Sequence, residues 1–138
     1  MGTRATIHIA KREEGVSFSE IPENKLVSIY HHYDGYPEYL GVTIADYIDG
    51  KRIVNGLGGD RGGIFNGLGC LAASLIAELK EEAGNVYIDN LDCPHGGLDY
   101  EYVVWGDTGK DVWISIFDYN RNCIFVGKPS KLQNKYEE

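Results

Sequence analysis

The sequence predicts an α+β fold: a mainly antiparallel sheet of about six strands, two helices on one of its faces, and the order β-β-α-α-β-β-β-β. Three observations carry this. Period-two runs of β-branched and aromatic residues lie toward both ends of the chain. Two stretches with apolar residues at helical spacing sit side by side in the middle. Strands and helices are therefore segregated, whereas a parallel sheet would need them to alternate.

Residues 3–10 (TRATIHIA) put Ala5, Ile7 and Ile9 on one face and Thr6 and His8 on the other, the pattern of a strand. Residues 11–24 are charged and carry Gly15, Pro22 and Asn24, so they read as a loop with a minor strand at 16–18. Residues 25–33 (KLVSIYHHY) form a second strand, with Val27, Ile29, His31 and Tyr33 on one face and Leu26, Ser28, Tyr30 and His32 on the other. Asp34-Gly35-Tyr36-Pro37 is a turn that places proline at the first helical position. The helix over 37–49 aligns Leu40, Ile44 and Tyr47/Ile48 and stops at Gly50. A glycine-dense loop follows, interrupted by Arg52-Ile53-Val54 and Ile64-Phe65. Asn66 suits an N-cap, and the helix over 67–83 carries a stripe of Leu68, Leu71/Ala72, Leu75/Ile76 and Leu79. Gly84 and Asn85 end it. Residues 86–89, 100–105, 112–117 and 123–126 are short strands, the last three joined by hairpin turns. These elements make one domain over 1–127, followed by a loose polar tail over 128–138. The sheet face away from the helices carries Tyr30, His32 and Trp105 or Trp113, a ligand platform or a subunit interface.

Composition narrows the function classes. At 138 residues with 43% hydrophobic content, the chain can bury a real core. A formal charge of −8 removes the electrostatic motive for binding duplex nucleic acid. Cys70, Cys93 and Cys123 are odd in number and lack metal-finger spacing, which predicts reduced thiols in a cytosol. No cofactor is expected. No apolar run reaches the roughly 18 residues of a membrane span, and no leader pattern is read at the start. Met1-Gly2 with Thr6 matches a myristoylation pattern only loosely.

Three stretches can carry chemistry. In the first, eight of eighteen glycines fall between Gly50 and Gly69, a density that signals positive φ or close backbone approach. Gly58, Gly59 and Arg61 lie in this loop, with Lys51 and Arg52 before it. Asn66, Gly67, Leu68 and Gly69 open the second helix, where free amides and the helix dipole favour an anion. Bare backbone beside a guanidinium suits phosphate; tight packing of the loop explains the glycines equally well. Gly67-x-Gly69-x-x-Ala72 resembles a dinucleotide fingerprint, but no parallel β–α–β unit surrounds it. In the second, Tyr33, Tyr36, His31 and Asp34 end a strand, where rings can stack a base and His31 with Asp34 can act as an acid–base pair. The alternative is a half-buried sheet face. His31 and His32 point to opposite faces, which argues against a shared metal ion. In the third, Asp92-Cys93-Pro94-His95 has a nucleophile beside an imidazole but nothing to activate it, so a Pro-Gly loop is the plainer reading. The carboxylates of the last third sit at turns, where Asp serves turn geometry, and no catalytic residue is identified.

Met1-Gly2-Thr3-Arg4, Tyr33-Asp34-Gly35-Tyr36-Pro37, Asn66 to Ala73 (NGLGCLAA) and Tyr100-Glu101-Tyr102-x-Val104 together resemble a family of small tailed-bacteriophage and prophage proteins. The resemblance spans nearly the whole chain. One departure is that the family often carries Tyr-Arg where this chain has Tyr30-His31. The resemblance implies a counter-defence factor in the host cytoplasm. The leading expectation is a nucleotide-binding homo-oligomer that sequesters a cyclic-nucleotide or ADP-ribose-derived immune signal. Phosphates would meet Arg61 and the second helix, and the base would stack on Tyr33 or Tyr36. The alternatives are an acidic protein–protein inhibitor of a host defence protein and a hydrolase of the signal using His31 and Asp34.

Overall fold

The computed structural model describes residues 3–56, 64–91 and 98–136. It is an α+β fold around a six-stranded, mainly antiparallel sheet. The strands are β1 (Ala5–Lys11), β2 (Val27–His31), β5 (Val86–Asp89), β6 (Tyr100–Gly106), β7 (Trp113–Phe117) and β8 (Cys123–Gly127), in the order β5-β2-β1-β6-β7-β8. Within this sheet the parallel pairing is central: β1 runs beside β6, with Ala5 opposite Tyr100 and Lys11 opposite Gly106. Two further strands, β3 (Arg52–Val54) and β4 (Ile64–Asn66), pair in parallel as a separate ribbon flanking the glycine loop.

Alternation dictates the two faces. Ala5, Ile7, Ile9, Ile29, Tyr102, Val104, Ile114 and Ile116 turn one way and are buried. The helical segments pack on that side. A π-helical turn over Pro37–Gly41 continues into α1 (Val42–Ile48), bringing Leu40, Ile44 and Ile48. Helix α2 (Gly67–Leu79) brings Leu71, Leu75 and Leu79. Gly41 lets the first segment sit close, since a Cβ there would be 3.4 Å from the Tyr102 ring.

Three expectations are corrected. The chain has a third helix, α3 (Pro129–Lys135), where a loose polar tail was expected. Polarity hid it: Leu132 is the one apolar anchor of its middle, and it is fully buried in the main core. The second helix ends at Leu79 rather than near Ala83, because Lys80 leaves helical geometry at φ −77°, ψ 110°. Residues 16–18 pair with nothing as a strand; Val16, Phe18 and Ile21 instead strap the opposite sheet face, over Ala10, Val103, Trp105 and Phe117. Phe18 meets both Trp105 and Trp113, with ring centroids 5.0 and 5.3 Å away.

The Asp34–Pro37 turn is anchored to the sheet. Asp34 takes φ 61°, a left-handed conformation that aspartate tolerates better than most residues. Gly35 N–H donates to Thr3 O at 2.9 Å, and the Tyr102 hydroxyl donates to Gly35 O at 2.7 Å. A Cβ on Gly35 would lie 2.8 Å from Ala5 Cβ and 2.9 Å from Thr3 O. Both obstacles belong to the first strand and its lead-in, so neither yields cheaply.

Gly35→Ala should therefore lower unfolding free energy by about 1–3 kcal/mol, as overpacking does. Gly69→Ala, where a Cβ meets nothing within 4 Å, should be neutral or slightly stabilising. Leu132→Ala should cost about 2–4 kcal/mol. Urea denaturation reads all three; an unperturbed Leu132→Ala would mean that α3 does not dock.

Candidate functional site

The two halves of the expected ligand site do not meet within one chain. Helix α2 has thirteen residues, and a helix of that length rises roughly 20 Å. Its first turn lies by Gly106, where an added Cβ would come within 3.0 Å of Leu68 Cδ2. Gly106 pairs with Lys11 at one end of β1, whereas His31 pairs with Ala5 at the other. Asn66, Gly67, Leu68 and Gly69 thus occupy one end of the molecule, and His31, Tyr33, Asp34 and Tyr36 the other.

Gly58, Gly59 and Arg61 lie outside the described residues, as do Cys93 and His95. Asn66 precedes α2 as expected, but its side chain does not cap the helix. Its Oδ1 accepts a 2.7 Å hydrogen bond from Gly56 N–H, so it clasps the two stems of the glycine loop. Gly67 needs its glycine for another reason, a φ of +87°. Space beside Gly67 and Gly69 is open. Lys51, a candidate phosphate ligand, folds back on α1: its Nζ donates to Tyr47 O and stands 3.7 Å from the Tyr47 ring centroid.

At the other end, His31, Tyr33 and Asp34 do converge. With Tyr39, Glu78 and Glu81 they line a cavity of about 120 Å³, closed by Leu40, Thr43, Leu79 and Asn85. The surroundings are acidic. The Tyr33 hydroxyl donates to Glu82 Oε2 at 2.8 Å, and that bond, with the charges of Glu82, Asp34 and Glu81, holds its pKa above the ordinary phenol value. Burial pushes the His31 pKa down, against the main chain of Tyr33 and the carboxylates of Asp34 and Glu81, which push it up. His31 is 7% exposed, and its Nδ1 is buried without a hydrogen-bond partner. The Asn85 amide donates to Leu79 O at 3.1 Å and so fixes the end of α2 beside the cavity.

Tyr36 faces away from this cavity. It lines a broader one of about 470 Å³ with Thr3, Asp99, Tyr100, Asp118 and Tyr119. Tyr36 and Tyr39 are 5.9 Å apart between ring centroids, so a tyrosine pair links the two hollows. Among the described residues, no Lys or Arg lines either of them.

Sequence reading missed a buried polar line on the strapped sheet face. His8 Nδ1 is 2.7 Å from Ser28 Oγ, and Nε2 is 3.0 Å from Glu101 Oε2. Arg121 Nε donates to Glu101 Oε1 at 3.0 Å. The order Ser–His–Glu superficially suits a nucleophile and base, but Ser28 and His8 are each 1% exposed and no substrate reaches them. The network is structural. The signal for it was present: Thr6, His8 and Ser28 are polar residues at alternate strand positions, facing away from Ile7, Ile9 and Ile29.

Among the described residues, no group of three or more His, Cys, Asp and Glu is arranged to hold a metal ion. Among them, too, no helix is long and apolar enough to cross a membrane. No protein-family model matches the chain, and comparison with curated proteins and with solved structures finds no match.

Two buried groups should shape stability against pH. Burial raises the Glu101 pKa, but the His8 hydrogen bond and the Arg121 charge outweigh it and leave the group below its ordinary range. A depressed carboxyl contributes fully above its unfolded value of about 4.3 and loses that contribution as pH falls through the folded value. His31 is also depressed, so the unfolded chain takes up its proton first, and stability falls as pH drops below about 6.5. Urea midpoints should decline in both windows. His31→Phe should flatten the upper decline and Glu101→Gln the lower; an unchanged slope in either variant would contradict its assignment.

Proposed function

We propose that this chain is a non-catalytic counter-defence protein of the phage type its motifs resemble, and that it acts by occluding a basic surface on a host defence protein. The single observation that carries this reading is the acidic, tyrosine-rich end of the molecule. Tyr33, Asp34, Tyr36, Tyr39, Glu78 and Glu81 share it with Asp99, Tyr100, Asp118 and Tyr119, and among the described residues the two hollows there carry no lysine or arginine. Tyrosine supplies large contact area with a polar tip and little rotamer entropy, which suits a protein interface. Clustered carboxylates speed encounter with a basic partner and repel nucleotides. The net charge of −8 acts in the same direction.

A second reading is sequestration of a nucleotide-type immune signal at the start of α2. The Asn66–Gly56 clasp and the open space at Gly67 and Gly69 favour it. Since one chain holds the aromatic residues at the far end of α2, a neighbouring copy would have to bring them to the phosphates. Sequestration by a homo-oligomer is the form this reading takes.

One experiment separates the two. The protein is expressed in bacteria carrying a defence system that it counters, and phage plating is scored. Under the leading reading, Glu78→Lys/Glu81→Lys/Glu82→Lys abolishes protection of the phage, while Asn66→Ala and Arg61→Ala retain it. Binding to the purified host target should also weaken steeply as salt rises. Loss of protection in Arg61→Ala with retention in the triple variant would overturn the inhibitor reading in favour of sequestration.

A further inference from the structure

One edge of the main sheet is left open. The order β5-β2-β1-β6-β7-β8 gives β5 and β8 one unpaired side each. β8 is guarded: it meets β7 across a register shift, and Lys131 of α3 packs over Gly127. β5 pairs with β2 in unbroken register over its four residues, Val86-Tyr87-Ile88-Asp89, and carries no proline or lysine. The phase of that ladder decides which backbone groups face outward. His32 N–H donates to Asn85 O at 3.0 Å, so Tyr87 and Asp89 likewise turn their amides toward β2, and Val86 and Ile88 turn theirs away. Lys80 Nζ holds Val86 O at 2.9 Å. Among the described residues, nothing bonds to the Ile88 N–H or carbonyl. The Ile88 side chain is as open as its backbone. Ile7, Ile29 and Ile88 lie side by side across three strands on the helix-covered face. The first two are fully buried, whereas Ile88 is 69% exposed, so the apolar row runs off the edge of the sheet. Tyr87 on the other face and Leu91 just beyond the strand are also large and exposed.

We infer that a second copy of this chain pairs antiparallel with β5, about a two-fold axis at Ile88, and continues the sheet. Three features favour a copy over a foreign strand. The Ile88 N–H and carbonyl are the two groups that one residue exchanges with its own symmetry mate. Ile88 then meets Ile88 of the second copy, which extends the isoleucine row. Tyr87 comes opposite Asp89 of the second copy, and Lys80 Nζ, 5.7 Å from the Tyr87 ring centroid, brings a positive charge toward that carboxylate. Symmetry supplies this charge pairing twice. Competing registers are blocked. An axis at Val86 or Tyr87 needs the Val86 carbonyl, which Lys80 holds. An axis at Asp89 needs the Asn90 N–H, which donates to Asp89 Oδ1 at 2.9 Å. The dimer is independent of the occlusion reading, and the two stand or fall separately.

Sedimentation equilibrium on the intact chain is the first measurement. The mass should rise from 15.4 kDa toward twice that value with concentration, followed to about 1 mM so that even weak association shows. Ile88→Lys places a charge on the axis and should hold the chain monomeric, while Ile124→Lys on the guarded edge should leave the dimer intact. Both side chains are exposed, and melting temperatures check that both variants fold. The register is read by Ile88→Cys under mild oxidation. The Cα atoms of an exchanging pair lie about 5.5 Å apart, within reach of a disulfide. Peptide mapping should find a link between the two introduced thiols, and Leu91→Cys, displaced along the strand from its own copy, should give none. A chain that stays monomeric at every concentration would overturn the proposal and leave the edge to a strand of another protein. So would a dimer that survives Ile88→Lys, or cross-linking of Leu91→Cys as fast as that of Ile88→Cys.

Discussion

The geometry of the whole candidate site depends on how Gly35 is held. Its N–H is bound by Thr3 O, its carbonyl by the Tyr102 hydroxyl, and its missing side chain is what lets it lie against Ala5. These contacts join the end of β2 to the two strands that run parallel at the centre of the sheet. Because Gly35 cannot shift, the residues on either side of it are assigned to different surfaces. His31, Tyr33 and Asp34 are directed to the end of α2, and Tyr36 to the loops that bracket β6 and β7. Pro37 then starts the helical segment at a fixed angle, and Gly41 completes its approach to Tyr102. Tyr102 is fully buried, and desolvation raises its pKa well above the ordinary phenol value, so it remains a neutral donor. The hydrogen bond to Gly35 therefore persists across ordinary pH.

Much of this fold was legible, and for identifiable reasons. Period-two alternation located β1 and β2 and assigned Ile7, Ile9 and Ile29 to one face, because a strand with one covered face must alternate. The Asp-Gly-Tyr-Pro turn and the α2 stripe were legible because proline, glycine and leucine act locally. What escaped was non-local. Nothing local to Pro129–Lys135 shows that Leu132 would reach the core, and nothing near Phe18 announces two tryptophans from distant strands. The parallel β1–β6 pairing was likewise invisible, since it joins segments separated by most of the chain.

The candidate site was legible in its members and not in its grouping. His31, Tyr33 and Asp34 do line one cavity, and Asn66 to Gly69 do begin a helix. No local pattern measures the distance between them. Helix length supplies it: an element of thirteen residues that starts at one set of candidates and ends at the other keeps them apart. The glutamates of the cavity, Glu78 and Glu81, are exposed, but their proximity to the end of β2 is a tertiary fact.

The electrostatics of α2 sharpen this point. A helix C-terminus carries partial negative charge, and cations there are stabilising. This helix has no basic residue in its last turn. Glu78 lies in that turn, and Glu81 and Glu82 follow directly, so like charges accumulate where the dipole is least tolerant of them. The one lysine among them, Lys80, points to the sheet edge: its Nζ donates to Val86 O at 2.9 Å and stands 5.7 Å from the Tyr87 ring centroid. Asn85 and Tyr33 tie down the chain beyond Leu79, at Glu82, without bringing positive charge. A bound cation at this point would answer the helix dipole, the three glutamates and Asp34 at once. An anion would oppose all of them. Under the occlusion reading, the local cost of leaving this end uncompensated is the physical reason to look for a basic surface here, rather than to treat the acidic surface as general solubilising charge.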